Sequence, residues 1–454
     1  MEKNKFEIDM CNGPIMSKLI SFSVPLILSG MLQLMFNAVD IIVVGQFSGS
    51  TSLAAVGSTT ALINVFVNLF MGISLGANVV SARCYAMGRR EEMSKTVHTA
   101  ITIALVSGII MAVIGVIFAK GALLLMGTPE NVINLSTLYM RIYFLGMPFF
   151  MLYNYGAAIL RAVGDTKRPL IFLVISGCIN AGINMLLVIV FDMGVAGVAI
   201  GTVISQFVSC ALVINCLYRT KSSYQLRFSK LKIEKDYMIQ IFQVGVPAGI
   251  QSTVINFSNA LLQSSVNSFG SVAMAGYTAA NNVLGFLYVS VNSITQACMS
   301  FTSQNYAVRK HKRMDRVLID CMVLSISVAL ILGGGAYLFG TYILNIYTSD
   351  ADVIKCGLEI LSITTVPYFF CGIMDLFPGA LRGMGYSTIP MILSIIGTVG
   401  IRILWIFVFF PMHRSLYFLF ISYPGSWIAT IVMQVICYML VRKKIASQGT
   451  LSND

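Results

Sequence analysis

Runs of about 20 apolar residues, separated by short polar or basic segments, recur along almost the whole chain. Each is long enough to cross a ~30 Å hydrocarbon core as a helix. Twelve spans are read at roughly 16–44, 53–81, 97–119, 137–160, 169–191, 195–218, 239–265, 273–301, 317–344, 357–381, 389–410 and 418–441. The pattern predicts an all-α polytopic membrane protein with twelve transmembrane helices. The N-terminal "MEKNKFEIDMCNGPIMSKL" mixes acids with lysines and has no cleavage pattern, so the first span is expected to stay in the mature protein.

Composition supports this reading. Of 454 residues, 57% are hydrophobic and 11% charged, whereas a globular soluble chain carries about a quarter charged residues. The net charge of +12 could point to nucleic acid, but its distribution argues otherwise. With the N-terminus cytoplasmic, 25 of the 30 Lys and Arg fall in or beside cytoplasmic segments. Four (Lys120, Arg141, Lys355, Arg414) face the other side, and Arg402 lies within a span. This is the positive-inside imbalance, and it places both termini in the cytoplasm of a bacterial cell membrane, with no nucleic-acid partner. The ten cysteines show no CxxC spacing and read as small apolar residues; the three histidines lie far apart and suggest no metal site. No cofactor is expected.

The chain repeats itself. "LRAVGDTKRP" (160–169) and "LRGMGYSTIP" (381–390) share Leu160/Leu381, Arg161/Arg382, Gly164/Gly385 and Pro169/Pro390 at an offset of 221. "YAMGRREEM" (85–93) and "YAVRKHKRM" (306–314) fit the same offset, while Pro25/Pro247 and Pro148/Pro367 fit within a residue or two. Six spans per copy is an even number, so the copies share one orientation and are expected to be related by an axis along the membrane normal. The expected organisation is an N-lobe (1–218), a basic cytoplasmic linker (219–238), a C-lobe (239–441) and a cytoplasmic tail (442–454). Two such lobes imply a cleft and a transporter of small molecules, expected to act as a monomer in the bilayer.

Polar residues inside the spans locate candidate chemistry. Gln33, Asn37 and Asp40 share one face of the first span, and Pro25 lets that helix bend. Asn180 and Asn184 are one turn apart in the fifth span, as are Thr202 and Gln206 in the sixth. At 1.5 Å per residue, Asp40, Asn184 and Thr202 all lie ~10–12 Å below the outer ends of their spans, and Tyr139 can approach from above. One carboxylate among amide and hydroxyl oxygens suits a hard monovalent cation or a titratable proton. Asn and Thr within helices also serve as interhelical glue, but an intramembrane acid without a basic partner is a functional candidate by default.

Further stripes could line a wet cavity: Asn64 and Asn68 in the second span, and Ser252, Asn256, Asn259 and Gln263 in the seventh. The eighth carries Asn281, Tyr288, Asn292 and Gln296, with Asn282 adjoining. The remaining buried charges, Asp375 and Arg402, are expected to form an interhelical ion pair that fixes structure.

The "VP" opening each half, "NAVDIIVVGQFSGSTSLAAVG", "GAAILRAVGDTKRP" and "MGVAGVAIGTVISQ" together resemble the multidrug and toxic compound extrusion (MATE) family over essentially the whole chain. The resemblance implies an antiporter that exports organic, often cationic, compounds while Na⁺ or H⁺ flows inward. On it, Asp40 matches the first-helix coupling acid, Pro25 the proline at which that helix bends, and Asn180 the asparagine of an N-x-x-x-D motif. Asn184 stands where that motif has its acid, and Thr202 and Tyr139 complete the network. Coupling acids that some relatives carry in the seventh and tenth helices are missing, Cys371 occupying the tenth-helix position, so coupling centres on Asp40. The alternative reading is a lipid-linked saccharide flippase of related architecture. An enzyme or primary pump is disfavoured, because there is no GxxxxGK[ST] loop, no HExxH and no soluble domain.

Overall fold

The computed structural model describes residues 5–450, so the last four residues of the expected tail lie outside it. Among the described residues the regular structure is entirely helical. Ten helices among these residues are long and apolar enough to cross a membrane, and two bent pairs, each counted as one span, bring the number to twelve.

In the first half these are α1 (Ile15–Phe47), α2 (Gly49–Ala86), α3 (Arg90–Leu125), α4 (Glu130–Leu145), α5 (Met147–Ala162), α6 (Lys167–Met185) and α7 (Gly194–Arg219). In the second they are α8 (Lys235–Asn267), α9 (Ser271–Ala307), α10 (His311–Leu338), a short α11 (Gly340–Asn345), α12 (Ala351–Thr364) and α13 (Tyr368–Gly383). The chain ends in α14 (Thr388–Ser394), α15 (Ile401–Leu404), α16 (Leu416–Phe420) and α17 (Ser422–Thr450). α2 and α3 outrun the apolar stretches that predict them by four to seven residues at each end, because polar turns continue the backbone ladder past the hydrocarbon depth.

The duplication is visible in backbone detail. α4 and α5 meet at 46°, and α12 and α13 at 51°. Pro148 opens α5 and Pro367 caps α13, so each break falls where a proline withholds a helical N–H. The fifth span of each copy also widens into π-helical turns: Leu186–Val190 after α6, and Ile395–Gly400 and Trp405–Phe409 on either side of α15.

The chain forms two compact units, and they do not divide at the basic linker. The first takes the N-terminal residues up to Met10 together with Val24–Gly249; the second takes Cys11–Ser23 and everything from Ile250. α1 therefore begins in the second unit, where Phe22 meets Phe301 edge to face at 5.6 Å, and α8 begins in the first. Glycines explain the latter. Gly72 and Gly76 of α2 lie backbone to backbone with Ile241, Gly245 and Gly249 of α8. Two small residues four apart on each helix let the main chains approach closely. The passages from one unit to the other fall next to Pro25 and Pro247.

The stretch 219–238 is folded onto the first unit. Tyr224 and Leu226 are fully buried, the Arg227 amide donates to His98 Nε2 at 3.0 Å, and the Glu234 amide donates to Thr99 Oγ1 at 3.1 Å.

Candidate functional site

In the first unit, α1 meets α6 in a close contact at Gly177. The ring of Phe36 occupies the space that a side chain at Gly177 would fill. Asp40 follows one helical turn beyond Phe36 and Asn184 two turns beyond Gly177, on the same two helices. Asn184 Nδ2 donates to Asp40 Oδ1 at 2.5 Å and lies 3.3 Å from Asn180 Oδ1. Asn184 is wholly buried and Asn180 is 5% exposed, while Asp40 is half-buried. α7 completes the group from a third side: Gly201 leaves room for the Asn184 amide, and Thr202 lies against the carboxylate while its hydroxyl donates to Val198 O at 3.0 Å.

Above them Tyr139 and Tyr143 of α4 stack at 6.2 Å, near enough for the Asp40 charge to act on both. Two buried acceptors in this neighbourhood have no hydrogen-bond partner, Asn184 Oδ1 and Gln206 Oε1. A buried orphan acceptor is costly. Asn184 Oδ1 lies beside Gly201 and Gln206 Oε1 beside Gly146, so each orphan oxygen faces a glycine on a neighbouring stretch of the same unit.

The other sequence candidates are spread along helix faces. Gln33, Asn37, Asn64, Asn256, Asn282 and Tyr288 are exposed, and Asn68, Gln206, Asn259, Gln263 and Asn292 half-buried. Two of these amides satisfy neighbours on their own helix: Gln263 Nε2 donates to Asn267 Oδ1 and Gln296 Nε2 to Asn292 Oδ1, both at 3.0 Å. Pro25 lies inside α1, and its carbonyl accepts from Ser29 Oγ at 2.8 Å.

The expected Asp375–Arg402 ion pair does not form. Among the described residues no carboxylate lies within 4.0 Å of Arg402, whose guanidinium reaches α8 and α17 instead: Nη1 donates to Asn259 Oδ1 at 2.9 Å and Nε to Ser426 Oγ at 3.2 Å. Asp375 feels Arg382, two turns further along α13, which itself donates to Gln251 Oε1 at 2.6 Å. Depth alone suggested the pair; the rotation of each side chain about its helix axis separates them.

A second polar cluster, at the end of the first unit where residues 5–10 lie, escaped sequence reasoning. Glu7 accepts from the hydroxyls of Tyr85 and Tyr224, both at 2.7 Å, and the Ile8 amide donates to Gly164 O at 3.3 Å. Asp165 is fully buried and paired with Arg168, which also donates to Tyr224 at 3.2 Å. Burial, followed by the bond to Glu7, raises the Tyr224 phenol above its ordinary value and keeps it a donor. The acid in "EIDM" and the "GDTKR" turn were visible, but Tyr224, which joins them, is more than 50 residues from either.

The MatE family model matches residues 25–186 and 247–408, once in each copy of the repeat. The chain belongs to the MatE family. It is a membrane transporter, as MATE proteins are. The chain is 29% identical over 433 residues to the probable multidrug resistance protein YoeA of Bacillus subtilis, covering 93% of each. It is 22% identical to the multidrug export protein MepA of Staphylococcus aureus, covering 87% of each. Among solved structures, a MATE protein in complex with MaL6 superposes with a TM-score of 0.91 over 98% of this chain and 100% of that one, at 18% identity. An outward-facing multidrug resistance MATE transporter gives 0.89 over 99% and 100%. These MATE neighbours share the fold of the present chain.

Proposed function

We propose that this MATE transporter exports organic, cationic or amphipathic compounds across the cell membrane in exchange for Na⁺ or H⁺, with Asp40 as the coupling acid. The observation that carries the reading is the 2.5 Å contact between Asp40 and Asn184, whose own Oδ1 is left without a partner. Rotating the Asn184 amide by half a turn would set its Oδ1 against the carboxylate, an all-oxygen pair that only a cation or a proton can bridge favourably. Asn180, Thr202 and Tyr139 then hold the group in place. Binding neutralises Asp40, whose ionised form is expensive in a partly dry site. Loss of that charge changes what α1 gains by lying against α6 and α7, and Pro25 gives α1 a point at which to bend. The exchange works as a thermodynamic couple because cation and substrate favour different positions of the same helix. The drug-efflux part of this reading is supported by the likeness to a probable multidrug resistance protein and to a multidrug export protein. Both termini face the cytoplasm, on the strength of the Lys and Arg distribution, and the monomer is the working unit.

The test is dye efflux from everted vesicles under separately imposed Na⁺ and H⁺ gradients. Asp40→Asn should express normally and lose gradient-driven export, whereas full export by that variant overturns the mechanism.

A further inference from the structure

The second unit holds a buried charge that the proposed coupling mechanism does not use. Arg402 is 3% exposed, within a membrane-spanning segment, and every partner it has is neutral: Asn259, Ser426 and the ring of Tyr423, whose centroid lies 4.1 Å from the guanidinium carbon. A guanidinium has five N–H donors, and two are engaged. Buried intramembrane cations are rare without an anion because neutral dipoles and one aromatic face repay only part of the lost hydration.

The surroundings are built rather than accidental. π-helical turns, which recur at functional sites, stand immediately before and after the four-residue α15 that carries Arg402. The first repeat has π turns only at the counterpart of the later set, so the set before Arg402 is peculiar to this copy. The three helices that converge on Arg402 are the repeat counterparts of those that converge on Asp40. At an offset of 222, Asn259 corresponds to Asn37 and Arg402 to Asn180. One copy thus gathers its polar residues around an anion and the other around a cation. Asn256, one turn from Asn259, is exposed, so the polar face of α8 leads from the surface to the guanidinium. Beside it lies an aromatic wall: Tyr423 stacks on Phe420 at 5.8 Å and meets Trp427 edge to face at 5.6 Å.

We propose that Arg402 is the anion-recognition point of a substrate subsite in the second repeat, taking aromatic compounds that bear a single carboxylate or sulfonate. The fork of a guanidinium can donate to two oxygens of either group, and one fixed positive charge balances one negative charge. The half-buried ring of Tyr423 receives the aromatic body, backed by Phe420 and Trp427, which are 0% and 2% exposed. The inference deepens the export reading by naming a substrate feature, and it rests on that reading for its biological sense.

The test uses one chromophore in two forms, rhodamine 110 with a free carboxylate and rhodamine 123, its methyl ester. Equilibrium binding of each to the full-length protein in phosphatidylcholine nanodiscs is followed by fluorescence polarisation with no gradient applied. The wild type should bind the acid at least tenfold more tightly than the ester. Arg402→Gln should collapse that ratio to near unity, and Arg402→Lys should restore part of it. A wild type that binds both equally, or prefers the ester, overturns the proposal without recourse to any variant. Persistence of the acid preference in Arg402→Gln overturns it as well. Gradient-driven export of the ester is scored separately, so failure of the export reading and failure of the anion subsite give different results.

Discussion

The crossing of α2 and α8 in the first unit offers a sharp test of how the fold is held, through Gly76→Ala. A methyl group there would fall onto the carbonyl oxygen of Ile241 and within 3.0 Å of Gly245 N and Ile241 C. All are main-chain atoms, so no flexible side chain can swing aside. Ordinary contact begins near 3.5 Å, and the helices would have to part by roughly 1 Å to accept the methyl. Separation would also loosen the matching approaches at Gly245, where an added Cβ would lie 2.9 Å from Ile73 O, and at Gly72, where it would lie 2.9 Å from Gly245 O. Overpacking of this kind costs about 1–3 kcal/mol. Exchanging Gly for Ala inside a helix gains about 1 kcal/mol in propensity, so the two effects oppose each other and a control must separate them. Gly182→Ala serves, since nothing lies within 4 Å of the position its Cβ would take. Unfolding of the purified protein in detergent can be followed by a thiol-reactive fluorophore, because Cys84 and Cys210 are buried in the same unit. Gly76→Ala is expected to melt below the wild type and Gly182→Ala at or above it. If Gly76→Ala melts with Gly182→Ala, the close crossing contributes nothing and the division of α8 between the units needs another cause.

Asn184→Ala removes an amide that donates to a carboxylate; such a bond contributes about 1.5–3 kcal/mol. The cation or proton concentration giving half-maximal efflux should therefore shift by about tenfold or more, with expression unchanged; an unshifted curve separates Asn184 from coupling. Asp165→Asn leaves Arg168, whose side chain is 15% exposed, without its partner. Breaking a buried pair from one side costs about 3–5 kcal/mol, and Asp165→Asn combined with Arg168→Gln should recover much of the lost melting temperature. A double-mutant cycle of Asp375→Asn and Arg402→Gln should show coupling below about 0.5 kcal/mol in thermal unfolding, because the two groups share no contact; a larger value would restore the ion pair.

These outcomes turn on features that the sequence disclosed unevenly. Helix number and the repeat were legible because apolar length and matching prolines act locally: Pro148 and Pro367 break the ladder wherever they stand. The grouping of Asp40 with Asn184 was legible too, since axial depth follows from counting residues at a fixed rise. Azimuth was not. Asp375 and Arg402 pass the depth test yet face different neighbours, and π turns beside Arg402 rotate its direction in a way that a 3.6-residue period does not describe. Long-range assignment was equally hidden. Gly72, Gly76, Gly245 and Gly249 announce close packing, but nothing in their spacing says that one pair meets the other and draws the start of α8 into the first unit. Glu7 is the same case, an ordinary acid near a chain end until Tyr85 and Tyr224 are brought to it. The duplicated design makes azimuth decisive for function as well. Two copies of one six-helix plan place polar groups on corresponding helices, and a change of one residue type at one facing position reverses the sign of what each can hold. Asp40 lies within a turn of Asn37, and Arg402 corresponds to Asn180, so corresponding helices of the two copies carry an acid in one and a guanidinium in the other, the latter flanked by π turns on both sides.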